Sequence, residues 1–181
     1  MRLRRLVALL PLALTACGYN TIQTYDEKAN AAKQQIEVQL QRRADLVPNL
    51  VEVVRGQAKQ ELEVFTQVAK ARSGLVDAVQ KGDPRGMAEA NEQLTTAMRG
   101  LMIQVEAYPQ IKSDQAFLRL QDELTGTENR IAVSRTDLNG AVETYNTYIR
   151  KFPQVMTAKV IGSKPKEYFE VSNAAAREAP K

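Results

Sequence analysis

Between Phe117 and Phe152 the chain repeats one spacing without a slip. Phe117, Leu120, Leu124, Thr127, Ile131, Ser134, Leu138, Ala141, Tyr145, Tyr148 and Phe152 follow one another at alternate steps of three and four residues. This is a heptad seam, and it predicts a long helix that faces another helix, since a strand would show a period of two. Thr127, Ser134 and Ala141 alternate with larger residues, so the neighbouring helix can approach closely along that stretch. The composition agrees with an all-α fold. Trp is absent, Gly and Pro are few, and Ala, Glu, Gln, Lys, Arg and Leu, which enter helices at little entropic cost, dominate.

Two further segments carry the same pattern. Ile22, Tyr25, Ala29, Ala32, Ile36 and Leu40 form an apolar stripe, which Val47, Leu50, Val51, Val54, Ala58, Leu62, Phe65 and Val68 continue to about Arg72. Proline lacks a backbone donor and disfavours helical angles for the residue before it, so Pro48 predicts a kink or brief break, with Asp45 placed to cap the restart. At about 1.5 Å per residue, roughly 50 residues would reach about 75 Å, an elongated object. Lys81-Gly82-Asp83-Pro84 reads as a tight turn with Asp83 as N-cap and Pro84 in the first helical position. Met87, Ala90, Leu94, Met98, Leu101, Val105 and Tyr108 then line a second helix up to Pro109, and the seam helix opens at Ser113 or Asp114 and ends at Pro153. The tail from about residue 155 is expected to be irregular and to dock on the bundle through Val160-Ile161 and Tyr168-Phe169.

The N-terminus has another character. Arg2, Arg4 and Arg5 precede an apolar run from Leu6 to Leu14, and Leu14-Thr15-Ala16-Cys17 closes it. Nine apolar residues are too few to span a bilayer, and the layout is that of a secretory signal. A small residue directly before the chain's single cysteine resembles a bacterial lipoprotein signal. Its thiol would accept the lipid before residues 1–16 are removed, leaving 17–181 as a single domain. The alternative is an ordinary secretory leader with an incidental cysteine. Gly18 follows, and the aspartate that retains many lipoproteins at the inner membrane is absent, so the outer membrane is the favoured destination. Without the three arginines of the leader, 22 of the 25 basic residues remain against 21 acidic ones. That near-neutral balance removes any argument for nucleic acid as a partner.

Catalytic and metal-binding patterns are missing. The sequence has no histidine, its one cysteine is assigned to lipid, and no nucleophile elbow, phosphate loop or EF-hand spacing occurs. No cofactor, metal or small-molecule substrate is expected, and the chain is not expected to be an enzyme. A hydrolase using Glu106, Glu123 or Glu128 is the remote alternative. The polar residues that stand out are Arg42, Arg43, Asp45 and Asn49 around Pro48, and Glu128, Asn129, Arg130 and Arg135 midway along the seam helix. They are either inter-helix pairs that fix register or a partner-binding patch. Arg42 and Arg43 point about 100° apart on a helix, so one is expected to pair inward with Glu128 and the other to face solvent.

Arg42-Arg43-Ala44-Asp45-Leu46-Val47-Pro48-Asn49-Leu50-Val51 resembles the signature of the LemA family of bacterial envelope proteins. Val68-Ala69-Lys70-Ala71-Arg72, Tyr108-Pro109-Gln110-Ile111-Lys112, Thr127-Glu128-Asn129-Arg130-Ile131-Ala132 and Tyr145-Asn146 agree in order and spacing. The resemblance implies an elongated antiparallel bundle of long helices, N-terminal membrane attachment and no established enzymatic activity. Many members begin with an uncleaved transmembrane helix, whereas this chain has the lipoprotein leader. Members often occur beside membrane-bound zinc peptidases. The expectation is therefore a noncatalytic lipoprotein at the periplasmic face, bound to the membrane through Cys17 and acting as scaffold or adaptor for an envelope protein. An accessory or regulatory subunit of an envelope protease is the alternative, with a membrane peptidase as the partner.

Overall fold

The computed structural model describes residues 18–58 and 62–171, and the leader and Cys17 lie outside the described residues. The fold is an all-α helical bundle. Its helices are α1 (Tyr19–Gln57), α2 (Leu62–Lys81), α3 (Pro84–Val105), α4 (Pro109–Lys112), α5 (Gln115–Tyr148) and α6 (Gln154–Val160). Two of the boundaries follow directly from side-chain chemistry. Asp83 caps α3 by accepting hydrogen bonds from the backbone N–H of Arg85 at 3.2 Å and of Gly86 at 2.9 Å, behind Gly82 at φ 65° and with Pro84 in the first turn. Asp114 does the same for α5, accepting from Ala116 N–H at 2.7 Å and Phe117 N–H at 3.2 Å.

The first long segment departs from expectation. No break occurs at Pro48, because α1 runs unbroken through it, and Asp45 caps nothing: it lies exposed in mid-helix and accepts a hydrogen bond from Gln41 at 2.9 Å. The reason comes from α2. Pro48 has no N–H to offer the carbonyl of Ala44 one turn earlier, and Ala44 is fully buried. Arg72 fills that place, its Nε donating to Ala44 O at 2.7 Å. A charged donor brought from another helix thus completes the ladder that proline interrupts. Arg72→Met is expected to cost about 1 to 3 kcal/mol by stranding a buried carbonyl. In a Pro48→Ala background, where residue 48 regains its N–H, most of that cost should vanish. Denaturant unfolding of the four variants measures this, and additive effects would disprove the link.

The described residues form two compact units. One draws on Gln35–Arg135 together with the strap at Phe169. In it α2 and α3 pack as a hairpin about the Gly82 turn, and Leu40, Leu50, Val54, Leu75, Met87, Leu94, Leu101 and Ile111 are fully buried. The other draws, among the described residues, on 18–34 and Thr136–Tyr168. Its core is Ile22, Tyr145, Ile149 and Ala158, with Tyr25 and Tyr148 packed against it edge to face, their ring centroids 5.1 Å apart. The tail, expected to be irregular from about residue 155, opens instead with α6 and only then runs on as a strap. Asn146 holds the strap in place by pairing with both backbone groups of Lys166: its Nδ2 donates to the carbonyl at 2.9 Å and its Oδ1 accepts the N–H at 2.8 Å. The Lys166 ammonium reaches Asp26 at 3.0 Å and Asn30 at 2.8 Å, beside the Tyr145 ring.

Candidate functional site: a buried arginine between three helices

Arg43 is only 2% exposed, which is rare for an arginine, and each of its terminal nitrogens has a use. Nη1 donates to Asn91 Oδ1 at 2.5 Å and to Thr95 Oγ1 at 3.1 Å, both on α3, while Nη2 donates to the carboxylate of Glu128 on α5. One guanidinium on α1 therefore ties three helices of its unit together. Burial pushes its pKa down, while the carboxylates of Glu128 and Glu92 act in the opposite direction. The group remains a cation throughout. Arg43 Nε and, one turn earlier, Gln39 Oε1 are buried without a hydrogen-bond partner, and that is the cost of the arrangement. A cavity of about 190 Å³ adjoins the site, lined in part by Arg43, Asn91, Glu128, Ile131, Arg135 and Phe169.

The other residues of the predicted cluster do not converge here. Arg42, Asn49 and Arg130 are exposed, and Asp45 is bonded to Gln41. Asn91 and Thr95, which complete the hub, were not singled out from the sequence. Their signal was present: they stand four residues apart, each one position after an apolar residue of the α3 stripe, Ala90 and Leu94. Of the three glutamates considered for hydrolysis, Glu106 and Glu128 line one open groove of about 530 Å³, while Glu123 is not among its lining residues. The Glu128 carboxylate is already engaged by Arg43. Among the described residues no three potential ligands gather to hold a metal ion, and no helix is long and apolar enough to cross a membrane.

The hub rests on two of the signature blocks, the one around Pro48 and the one around Glu128, and residues 32–181 as a whole match the LemA family. The chain belongs to the LemA family. It is also similar to magnetosome protein MamQ 2 and magnetosome protein MamQ 1 of Paramagnetospirillum magneticum. Each is 32% identical over 183 residues, covering 88% of this chain and 67% of the relative. Magnetosome protein MamQ of Magnetospirillum gryphiswaldense is 31% identical, over 83% of this chain and 64% of that protein. In this LemA family protein the signature arginine pair is thus divided: Arg43 bonds inward to α3 and α5, and Arg42 stays in solvent.

Proposed function

We propose that this LemA family protein is a noncatalytic lipoprotein of the bacterial cell envelope, attached through Cys17 and serving on the periplasmic side as a helical scaffold or adaptor for other envelope proteins. The observation that carries the reading is the place of the single cysteine, directly behind a basic and apolar leader and before a glycine. Two others support it. The buried Arg43 site spends its charge on joining helices: its guanidinium bonds to Asn91, Thr95 and Glu128, and none of these is a nucleophile set against a base. None of the names of the three relatives states a reaction, which agrees with a role in organisation.

Replacing Cys17 by serine is expected to abolish incorporation of a labelled fatty acid in growing cells and to shift the protein out of the detergent phase, since the thiolate is the nucleophile that accepts lipid. Undiminished label in the variant would sink the anchor. The destination is tested by fractionating the unaltered protein on a density gradient, with the outer membrane expected. A retention aspartate at position 18 would be an unsound test. Gly18 adopts φ 135°, and a Cβ there would lie 3.2 Å from Gln154 Cγ.

A further inference from the structure

The segment that contains α6 combines bare apolar side chains with a charge of one sign. From Arg150 to Lys164 the chain carries Arg150, Lys151, Lys159 and Lys164 and no acidic residue, and all four cations are exposed. Between them Phe152, Met156 and Val160 stand in solvent, 83%, 59% and 76% exposed. These three recur at every fourth position, so Met156 and Val160 share a face of α6, while Thr157 and Ala158 are buried beneath it. Large apolar side chains aligned among cations are the signature of a surface that lies in a membrane interface. A protein partner is disfavoured by the same composition, because lysine is depleted from protein–protein contacts.

The second observation is where the chain enters this unit. Gly18 packs against α6, close enough that an added Cβ would meet Gln154 Cγ at 3.2 Å and the Tyr148 hydroxyl at 3.5 Å, and its carbonyl accepts the Ile22 N–H at 2.9 Å to start α1. Gly18 is bonded to Cys17. The lipid attachment point is thus one residue from a glycine packed on the very helix that bears the apolar and basic residues.

We propose that the exposed face of α6, with Phe152, Met156 and Val160 and its basic rim, rests on the anionic headgroups of the bilayer that holds the anchor. This rests on the lipoprotein reading for its geometry. The acyl chains keep the protein at the membrane, and α6 sets how the unit stands on it. Apolar side chains enter the headgroup boundary while the cations meet lipid phosphates, each cation strengthening the contact about fivefold.

The absence of tryptophan from the chain makes the test direct. Phe152→Trp, made in the full chain, processed in cells and reconstituted into vesicles of phosphatidylethanolamine and phosphatidylglycerol, places a sole indole on the proposed surface. Position 152 is so exposed that folding is not at risk, and Met156→Trp serves as a second reporter. The expected result is a blue shift of emission, quenching by lipids brominated in the acyl chain, and a contact equilibrium weakened about fivefold for each of Lys151→Ala and Lys159→Ala. Water-like emission without quenching, in protein that stays vesicle-bound, would overturn the surface and leave the anchor standing. A blue shift without bromine quenching would also overturn it, because the residue would then be covered by protein. If mass spectrometry finds no acyl group yet added brominated vesicles still quench the indole of the Phe152→Trp variant, the anchor reading fails and the surface stands alone.

Discussion

Truncating Ile149 to alanine is expected to lower the free energy of unfolding by about 2 to 5 kcal/mol, whereas Phe152→Ala should change it by no more than about 0.5 kcal/mol. The seam pattern, taken at face value, would reverse the two. It runs through Tyr148 and Phe152 and passes Ile149 by. The structure buries Val142, Tyr145, Asn146 and Ile149, with Ile149 only 4% exposed, and turns Phe152 outward. The cause is arithmetic. A strict seven-residue repeat averages 3.5 residues per turn, a straight α-helix has 3.6, and the two drift apart by about 20° per heptad. Over the helix from Phe117 to Tyr148, a little over four heptads, this accumulates to roughly 90°, close to the angle of about 100° between successive residues; Phe152 lies past the end of α5, in the turn before α6. The buried line keeps to the predicted positions from Phe117 through Leu138, with Leu120 half-buried, and beyond it Val142 and Ile149 are buried in place of Ala141 and Tyr148, while Tyr145 stays in the core beside Asn146. Denaturant unfolding followed by circular dichroism compares the variants, and equal midpoints would put the drift in doubt.

The second large effect is an asymmetry across the Arg43–Glu128 pair. The sequence suggests that removing the inward arginine strands a buried carboxylate, but the burial is the other way round: Arg43 is enclosed, and the Glu128 side chain is 50% exposed. Glu128→Ala leaves a guanidinium that cannot be deprotonated in a buried site, with only the neutral Asn91 and Thr95 as hydrogen-bond acceptors. The expected loss is about 2 to 4 kcal/mol. Arg43→Met removes the charge at similar length and lets Glu128 return to water, so the loss should stay below about 1.5 kcal/mol. Arg42→Ala, on the solvent side, should lie within about 0.5 kcal/mol of the parent. A loss for Arg43→Met as large as that for Glu128→Ala would show that the bonds to α3, and not the charge, dominate the hub.

Local chemistry is what could be read from the chain alone. The turn at Gly82-Asp83-Pro84, the cap at Asp114, the helical class of the whole chain and the apolar faces of its helices depend on residues within a few positions of one another. The LemA blocks were legible for the same reason, as were the candidates Arg43 and Glu128. Three particulars needed partners far away in sequence. Pro48 was expected to interrupt α1 because its missing N–H is a local fact, while the donor that makes up for it, Arg72, arrives from the next helix. Asn91 and Thr95 border the apolar stripe of α3 at a helical spacing, but nothing local says that α1 brings a guanidinium to them. Asn146 could be noticed as polar near the seam, yet its partner, the backbone of Lys166, has no sequence signature at all.

The sequence by itself determined that the chain is helical, which residues can start and stop its helices, and which side chains are apolar enough to need burial, because each of these follows from backbone propensity and periodicity. Only the tertiary structure decided which arginine of the Arg42–Arg43 pair is enclosed, on which side of Leu138 the buried line shifts, and that Phe152 faces water rather than the core. Those outcomes depend on how one helix meets another, on a drift of about 20° per heptad that is invisible over one turn yet enough over four to exchange Tyr148 for Ile149 in the core, and on the end of α5 at Tyr148, which leaves Phe152 in a turn.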